Sequence, residues 1–351
     1  MFNIVSTNQL VLATPCRLRR RVEENEMKTI SLFLTVLLFS IGQGRAAELK
    51  MALDSPQDVK KSGSYVWAHS FASTLRADGM AVTEYPRGAL GGEDERLDQT
   101  RQGLLQINMA AVRSAGKIDR LIFGLYLPYL FDDDAHQIKA LEQAGLSEKI
   151  NKSLEKGDIR VLAFTRPGSP AGIFNTKRSI RTVADMQGLR MRALDAGQIA
   201  LYKAWGATGT IVSWREVPNA LQTGVAHGYI NPSIAPLIFG HTGFLKHFTD
   251  AGAIVGGRVV LASLKWYRGL TEQKRRLIGQ AAKTATAANQ KWLKKTGPAM
   301  LGRLEQVGIT VTRLAPEARA EFARRARTVY SAGVLSPDQV KIWTDAVKAT
   351  R

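Results

Sequence analysis

The stretch Thr182-Val183-Ala184-Asp185-Met186-Gln187-Gly188-Leu189-Arg190-Met191-Arg192-Ala193 decides how the chain is organised. Thr182 and Asp185 form a capping box for a single helical turn, because each side chain closes an orphan amide of the other. Gly188 ends that turn. Leu189 to Ala193 then alternates as a short strand, with Arg190 and Arg192 on one face and the apolar residues on the other. A helix follows from about Gly197 to Trp205 and stops at Gly206. A second capped turn follows, although the chain shows no internal repeat. Ile211-Val212 is a strand, Ser213-Trp214-Arg215-Glu216 is a second capping box, its helix stops at Gly224, and Val225 to Ile230 is a strand broken by Asn231-Pro232.

The same alternation continues on both sides. Leu49 to Leu53 is a strand, 58–78 an amphipathic helix, and Ala81 to Tyr85 a strand stopped by Pro86. Gly91-Gly92-Glu93 opens another helix, and Gln106 to Val112 is strand-like. A helix is expected over about 134–154, a buried strand over 159–164, a loop at 169–172, and a strand over 258–264. Thr271 caps a very long helix expected to end near Lys295, ahead of Gly297-Pro298, with a strand over 307–311 beyond it. Strands alternating with helices define an α/β chain with largely parallel pairing. With 351 residues there is room for two lobes. The expected division is 47–169 with 257–296 as one lobe and 170–256 with 297–351 as the other, the long helix spanning both. No low-complexity linker separates them, so the joints are ordinary strands, which suits a hinge.

The N-terminus reads differently. Residues 27–46, MKTISLFLTVLLFSIGQGRA, have a basic start, an apolar run of about a dozen residues and a small-x-small site at Gly44-Arg45-Ala46. That run is short of the roughly 20 residues a membrane span needs. Residues 1–46 are therefore expected to be an extension and signal peptide. On this reading Met27 is the true start, Ala47 begins the mature chain, and the periplasm is the destination. The one cysteine, Cys16, lies in the removed part, which excludes disulfides and thiol chemistry from the mature protein. The formal charge is +19 over the full chain. The basic residues are scattered and not interleaved with aromatics, so nucleic acid is not an expected partner.

No catalytic constellation appears. There is no nucleophile elbow, phosphate loop, zinc-protease motif or dinucleotide fingerprint. The acids at Asp132-Asp133-Asp134 sit just ahead of a helix, where the dipole favours them. Of the five histidines, His227 enters the strand leading to Asn231 and is the one that could face a cleft. Arg192 ends a strand, where ligands of doubly wound sheets bind, and its planar fork matches a carboxylate. These features point to binding, with neither catalysis nor a cofactor.

Three stretches together resemble the solute-receptor subunit of tripartite ATP-independent periplasmic (TRAP) transporters, of the dicarboxylate-receptor type. They are Leu90-Gly91-Gly92-Glu93 with its helix, Val183 through Arg192, and Trp205-Gly206-Ala207-Thr208 through Asn231-Pro232; Leu127-Pro128-Tyr129-Leu130-Phe131 fits as well. The resemblance implies a two-lobed α/β binding protein that closes over a small organic acid. It also implies membrane transporter subunits as partners, and the protein itself is read as a monomer. It places a ligand carboxylate on Arg192, a hydrogen bond from Asn231 and an aromatic wall at Trp214. Many such receptors carry a second arginine where Gly172 stands here, and their usual acid and amide are here His227 and Ile230. Those departures imply a monocarboxylate or an acid with an apolar far end. Arg113, at the end of the 106–112 strand, is the candidate substitute cation. An exported enzyme acting on organic acids and a sensory ligand-presenting protein are the alternatives.

Overall fold

The computed structural model describes residues 48–351, so the expected signal peptide at 27–46 lies outside the described residues. Among the described residues eleven strands form two sheets. In chain order they are β1 (Leu49–Ala52), β2 (Val82–Tyr85), β3 (Ile107–Ala111), β4 (Ile159–Thr165), β5 (Ala171–Asn175), β6 (Arg190–Ala193), β7 (Thr208–Ile211), β8 (Gly228–Asn231), β9 (His247–Ile254), β10 (Arg258–Ser263) and β11 (Thr310–Arg313). The first sheet has the order β2-β1-β3-β10-β4 and the second β11-β9-β5-β8-β6-β7.

The pairing is mixed rather than largely parallel. β1 runs parallel to β2 and β3, and β6 runs parallel to β7 and β8. β10 is antiparallel to β3 and β4, and β5 is antiparallel to β8 and β9. The reason is the route of the chain. It leaves the first sheet at β4, enters the second at β5, and returns from β9 to β10. The crossing strands therefore run against their neighbours, except that β9 is parallel to β11 at the sheet edge. β5 begins within the expected loop at 169–172, and β9 carries no clear strand pattern because Asp250 and Gly252 interrupt its alternation.

Both expected capping boxes form in their acid half: Asp185 Oδ2 accepts from the Thr182 amide at 2.8 Å and Glu216 Oε2 from the Ser213 amide at 3.2 Å, while each cap hydroxyl donates to the same carboxylate. The expected helix over 134–154 is two helices, Asp134–Glu142 and Leu146–Leu154, because Gly145 between them adopts a left-handed conformation at φ 67°. Asp133 caps the first of them, accepting from the His136 amide at 2.8 Å.

The long helix runs Glu272–Gln306, past the Gly297-Pro298 stop that the sequence suggested. Proline removes one backbone donor. Here both halves are held independently. Ile278, Ala281, Ala282 and Ala285 pack in the first lobe against Trp67, Ala68 and Phe71, while Leu304 packs in the second with Phe174 and Phe248. The small alanines allow the helix Gly63–Ala77 to approach closely, and Trp67 donates to Thr286 Oγ1 at 3.1 Å. None of the described helices is long and apolar enough to cross a membrane.

The C-terminal grouping differs from the expected 297–351. The helix Pro316–Ala326 does pack in the second lobe, with Phe322 against Trp205 at 5.0 Å between rings. The last helix, Pro337–Ala349, instead returns to the first lobe. Trp343 anchors it there, donating to the Leu121 carbonyl at 2.7 Å. Gly124 makes room for that indole, since a Cβ at 124 would stand 2.0 Å from Trp343 Nε1.

Near the crossing strands, Asn289 of the long helix bonds three buried backbone groups. Its Nδ2 donates to the carbonyls of Gly63 (2.8 Å) and Arg166 (3.0 Å), and its Oδ1 accepts from the Arg166 amide (3.0 Å). Asn289→Leu is expected to lower unfolding free energy by about 2–4 kcal/mol in denaturant titration, because those groups lose their partners in a buried place. A loss below 0.5 kcal/mol, on the order of an innocuous surface change, would contradict the assignment.

Candidate functional site

A cavity of about 400 Å³ lies between the two lobes and is lined from both. That volume suits a small organic molecule. From the second lobe come Arg192 at the end of β6, Asn231 at the end of β8, and Trp214 within the Ser213–Glu216 capping box. β6 and β8 are parallel neighbours, so their carboxyl ends open side by side at one rim.

Arg192 is 5% exposed. Its Nε donates to the Val212 carbonyl at 2.9 Å, and its guanidinium carbon sits 5.2 Å from the centre of the Trp214 ring. Among the described residues no carboxylate lies within ion-pair distance of it. Burial, together with the nearby Arg113 cation, pushes its pKa below the ordinary arginine value. The backbone bond and the indole fix the fork while leaving its Nη groups without a protein acceptor among the described residues. Its strand neighbour Arg190 is exposed instead and donates through Nε to the Gly224 carbonyl at 3.2 Å.

Trp214 is locked by aromatic neighbours. Its ring lies 5.5 Å from Tyr229, 5.1 Å from Phe239 and 5.0 Å from His241. The Tyr229 hydroxyl and His241 Nδ1 are 3.1 Å apart. Asn231 is half-buried, and its side-chain amide forms no hydrogen bond to another described residue, so its donor and acceptor both remain for a ligand.

Two of the sequence candidates fall outside the cavity. Gly172 sits opposite Asn231 at an irregularity in the pairing of β5 with β9. A Cβ there would meet the Thr249 carbonyl oxygen at 2.4 Å and the Phe248 ring at 2.5 Å, so the position points into the sheet; the neighbouring Ala171 lines the cavity. His227 is 8% exposed and serves the backbone. Its Nδ1 accepts from the Arg190 amide at 3.2 Å, and its own amide donates to the Arg190 carbonyl at 2.6 Å. Burial first, then Arg190, lowers its pKa. It stitches β6 to the start of β8 and does not line the cavity.

Arg113 does line the cavity, from the first lobe, with its Nε 3.5 Å from Glu93 Oε2. Around it stand residues the sequence reading missed: Asp54, Arg87, Glu93, Arg96 and Arg258. Burial alone would raise the Glu93 carboxyl, but Arg258 and Arg113 outweigh it and hold Glu93 at about 2. Arg87 crosses the cleft, lying 5.1 Å from the Phe239 ring centre. A signal for some of them was present. Asp54 and Arg87 follow the carboxyl ends of β1 and β2, the placement that singled out Arg192. Arg258 begins an antiparallel strand, so only the sheet order brings it there. Among the described residues no three His, Cys, Asp or Glu side chains are grouped to hold a metal ion.

Two lobes around a cavity that presents an unpaired arginine, a free amide and an aromatic wall define a solute-binding protein. The sequence pattern of the family described as bacterial extracellular solute-binding protein, family 7, matches residues 61–334, and the chain belongs to that family. It is a receptor, not an enzyme. Among relatives, it is 26% identical over 259 residues to the ectoine-binding periplasmic protein TeaA of Halomonas elongata, covering 71% of this chain and 74% of that one. It is 26% identical over 200 residues to the 2,3-diketo-L-gulonate-binding periplasmic protein YiaO of Escherichia coli, covering 56% and 60%. In fold it is similar to a TRAP periplasmic solute binding protein of Haemophilus influenzae solved with bound L-gulonate. There the TM-score is 0.78 at 20% identity, over 87% of this chain and 99% of that one.

The buried histidine gives this site a pH signature. Burial, then Arg192, holds His241 at about 4, below its ordinary 6.5. The unfolded chain therefore takes up that proton first. The stability from keeping His241 neutral is complete above about pH 6.5 and is lost as pH falls toward 4. Urea titrations between pH 4 and 7 should show the wild type losing stability more steeply than His241→Gln, by up to about 1.4 kcal/mol per pH unit for one proton. Identical slopes would contradict the environment described.

Proposed function

We propose that the chain is exported to the periplasm, captures a small organic acid by its carboxylate, and delivers it to the membrane subunits of a TRAP-type transporter. The observation that carries this reading is Arg192, a buried guanidinium with no carboxylate partner among the described residues. A buried charge is normally paired, and an isolated one is costly. A ligand carboxylate supplies the missing partner with two parallel charge-assisted hydrogen bonds. Asn231 adds an amide beside it, and Trp214 gives the ligand's carbon frame an apolar wall.

The relatives support the same chemistry. 2,3-Diketo-L-gulonate and L-gulonate, two of the ligands in the names quoted above, carry a carboxylate beside neutral oxygen groups, whereas ectoine pairs its carboxylate with a ring cation, so the two sugar acids are the nearer guide here. Export is supported by the extracellular family and by the signal-like stretch at 27–46. Closure of the lobes about the crossing strands removes water from the Arg192–carboxylate pair and strengthens it.

The ligand is found by thermal unfolding of residues 47–351 against a panel of carboxylates. A true ligand at about 100 times its Kd adds ~2.7 kcal/mol to folded stability. Arg192→Ala is expected to weaken that ligand by ~2–5 kcal/mol in calorimetry, the loss typical when a buried charge pair is broken. Unchanged affinity would contradict the anchoring role.

A further inference from the structure

The first-lobe wall of the cavity has an unusual charge arrangement. Asp54 follows β1, and Glu93 opens the helix Glu93–Gln102, so both acids stand at the rim where β1 and β3 end. β10 is antiparallel to β3, with Arg258 opposite Ala111, so its first residue reaches that same rim. Arg258 bonds both acids, Nε to Asp54 Oδ2 at 2.5 Å and Nη2 to Glu93 Oε1 at 3.0 Å. Arg113 takes the other oxygen of Glu93. Arg96 is 3% exposed and donates to the Leu53 carbonyl at 2.8 Å, and Arg87 donates to the Asp54 carbonyl at 3.1 Å.

Every one of these six residues lines the cavity. The wall thus holds two carboxylates and four guanidiniums. Both acids are covered by Arg258, and the surplus is positive. The Asp54 oxygen that Arg258 leaves unbonded, Oδ1, is buried, so a cationic group on a ligand would meet the guanidiniums first, like charge at close range in a partly dry site. Like-charge juxtaposition of that kind costs several kcal/mol.

We infer that Arg258 is a specificity-determining residue. It fills the acidic corner formed by Asp54 and Glu93 with a resident cation, so the receptor takes carboxylates whose remainder is neutral or anionic and rejects zwitterions. This rests on the carboxylate reading of the cleft. Specificity here comes from a repulsive element as much as an attractive one. Removing the Arg258 charge frees Asp54 and part of Glu93 to receive an ammonium group.

The test uses matched acids that differ by one hydroxyl-to-ammonium exchange: glycerate against serine, and gluconate against 2-amino-2-deoxygluconate. Calorimetry is run on wild type, Arg258→Met and Arg258→Lys. Wild type is expected to favour the hydroxy acid by on the order of tenfold or more, Arg258→Lys to keep that preference, and Arg258→Met to reduce it at least tenfold in one pair or more. The Lys variant and the wild-type comparison stand even if loss of the buried cation prevents Arg258→Met from folding. Equal binding of both members by wild type, or an unchanged preference in folded Arg258→Met, overturns the assignment while leaving Arg192-dependent hydroxy-acid binding intact. If none of these acids binds, the same comparison is made with the carboxylate that the thermal-unfolding panel identifies and its amino analogue; failure of every carboxylate in that panel overturns the carboxylate reading and the assignment with it.

Discussion

The structure turns on a buried cation that makes no salt bridge. Arg192 is taken out of water with no carboxylate in ion-pair contact among the described residues, and the Asp195 carboxylate three positions on acts on it only from beyond contact distance. A carbonyl occupies its Nε and an indole covers its face, which leaves the Nη groups without a protein acceptor among the described residues. Such an arrangement is poor for stability and good for binding. The free energy withheld from the empty fold becomes available when an anion arrives. Trp214 packs on the guanidinium and, on the proposed reading, is also the wall that meets the ligand; the rings of Tyr229, Phe239 and His241 pack around it.

The rest of the fold places the opposing wall. Two crossings, β4 to β5 and β9 to β10, join the sheets, and the long helix has one end in each core. The return crossing also delivers Arg258 to the rim where the parallel strands end. One feature of topology, an antiparallel strand inserted beside β3, therefore sets the charge of the first-lobe wall. Asn289 ties the long helix to Gly63 and Arg166 beside the first crossing. Trp343 ties the last helix back to the first lobe across more than two hundred residues of chain.

Much of this was legible in the sequence where local chemistry decides structure. The capping boxes at Thr182–Asp185 and Ser213–Glu216, the Thr271 cap and the strand carrying Arg192 depend on residues within a few positions of each other. Arg192, Asn231, Trp214 and Arg113 all reach the cavity. What the sequence hid was set by distant partners. Gly172 occupies an aligned position, but the bulge beside β9 turns it into the sheet, which only the register of two strands reveals. His227 alternates correctly toward Asn231, yet Arg190 claims its ring nitrogen. Pro298 looked like a stop because nothing nearby shows that cores in two lobes hold the helix on either side. Arg258 carried no local mark, since its role follows from sheet order alone.

The most direct test of the central claim is a crystal structure of residues 47–351 with a carboxylate ligand bound. The account requires a ligand carboxylate on the Nη groups of Arg192, at about 2.7–2.9 Å as in charge-assisted pairs, with the Asn231 amide beside it. A ligand seated on the first-lobe arginines with Arg192 still unpaired would contradict it.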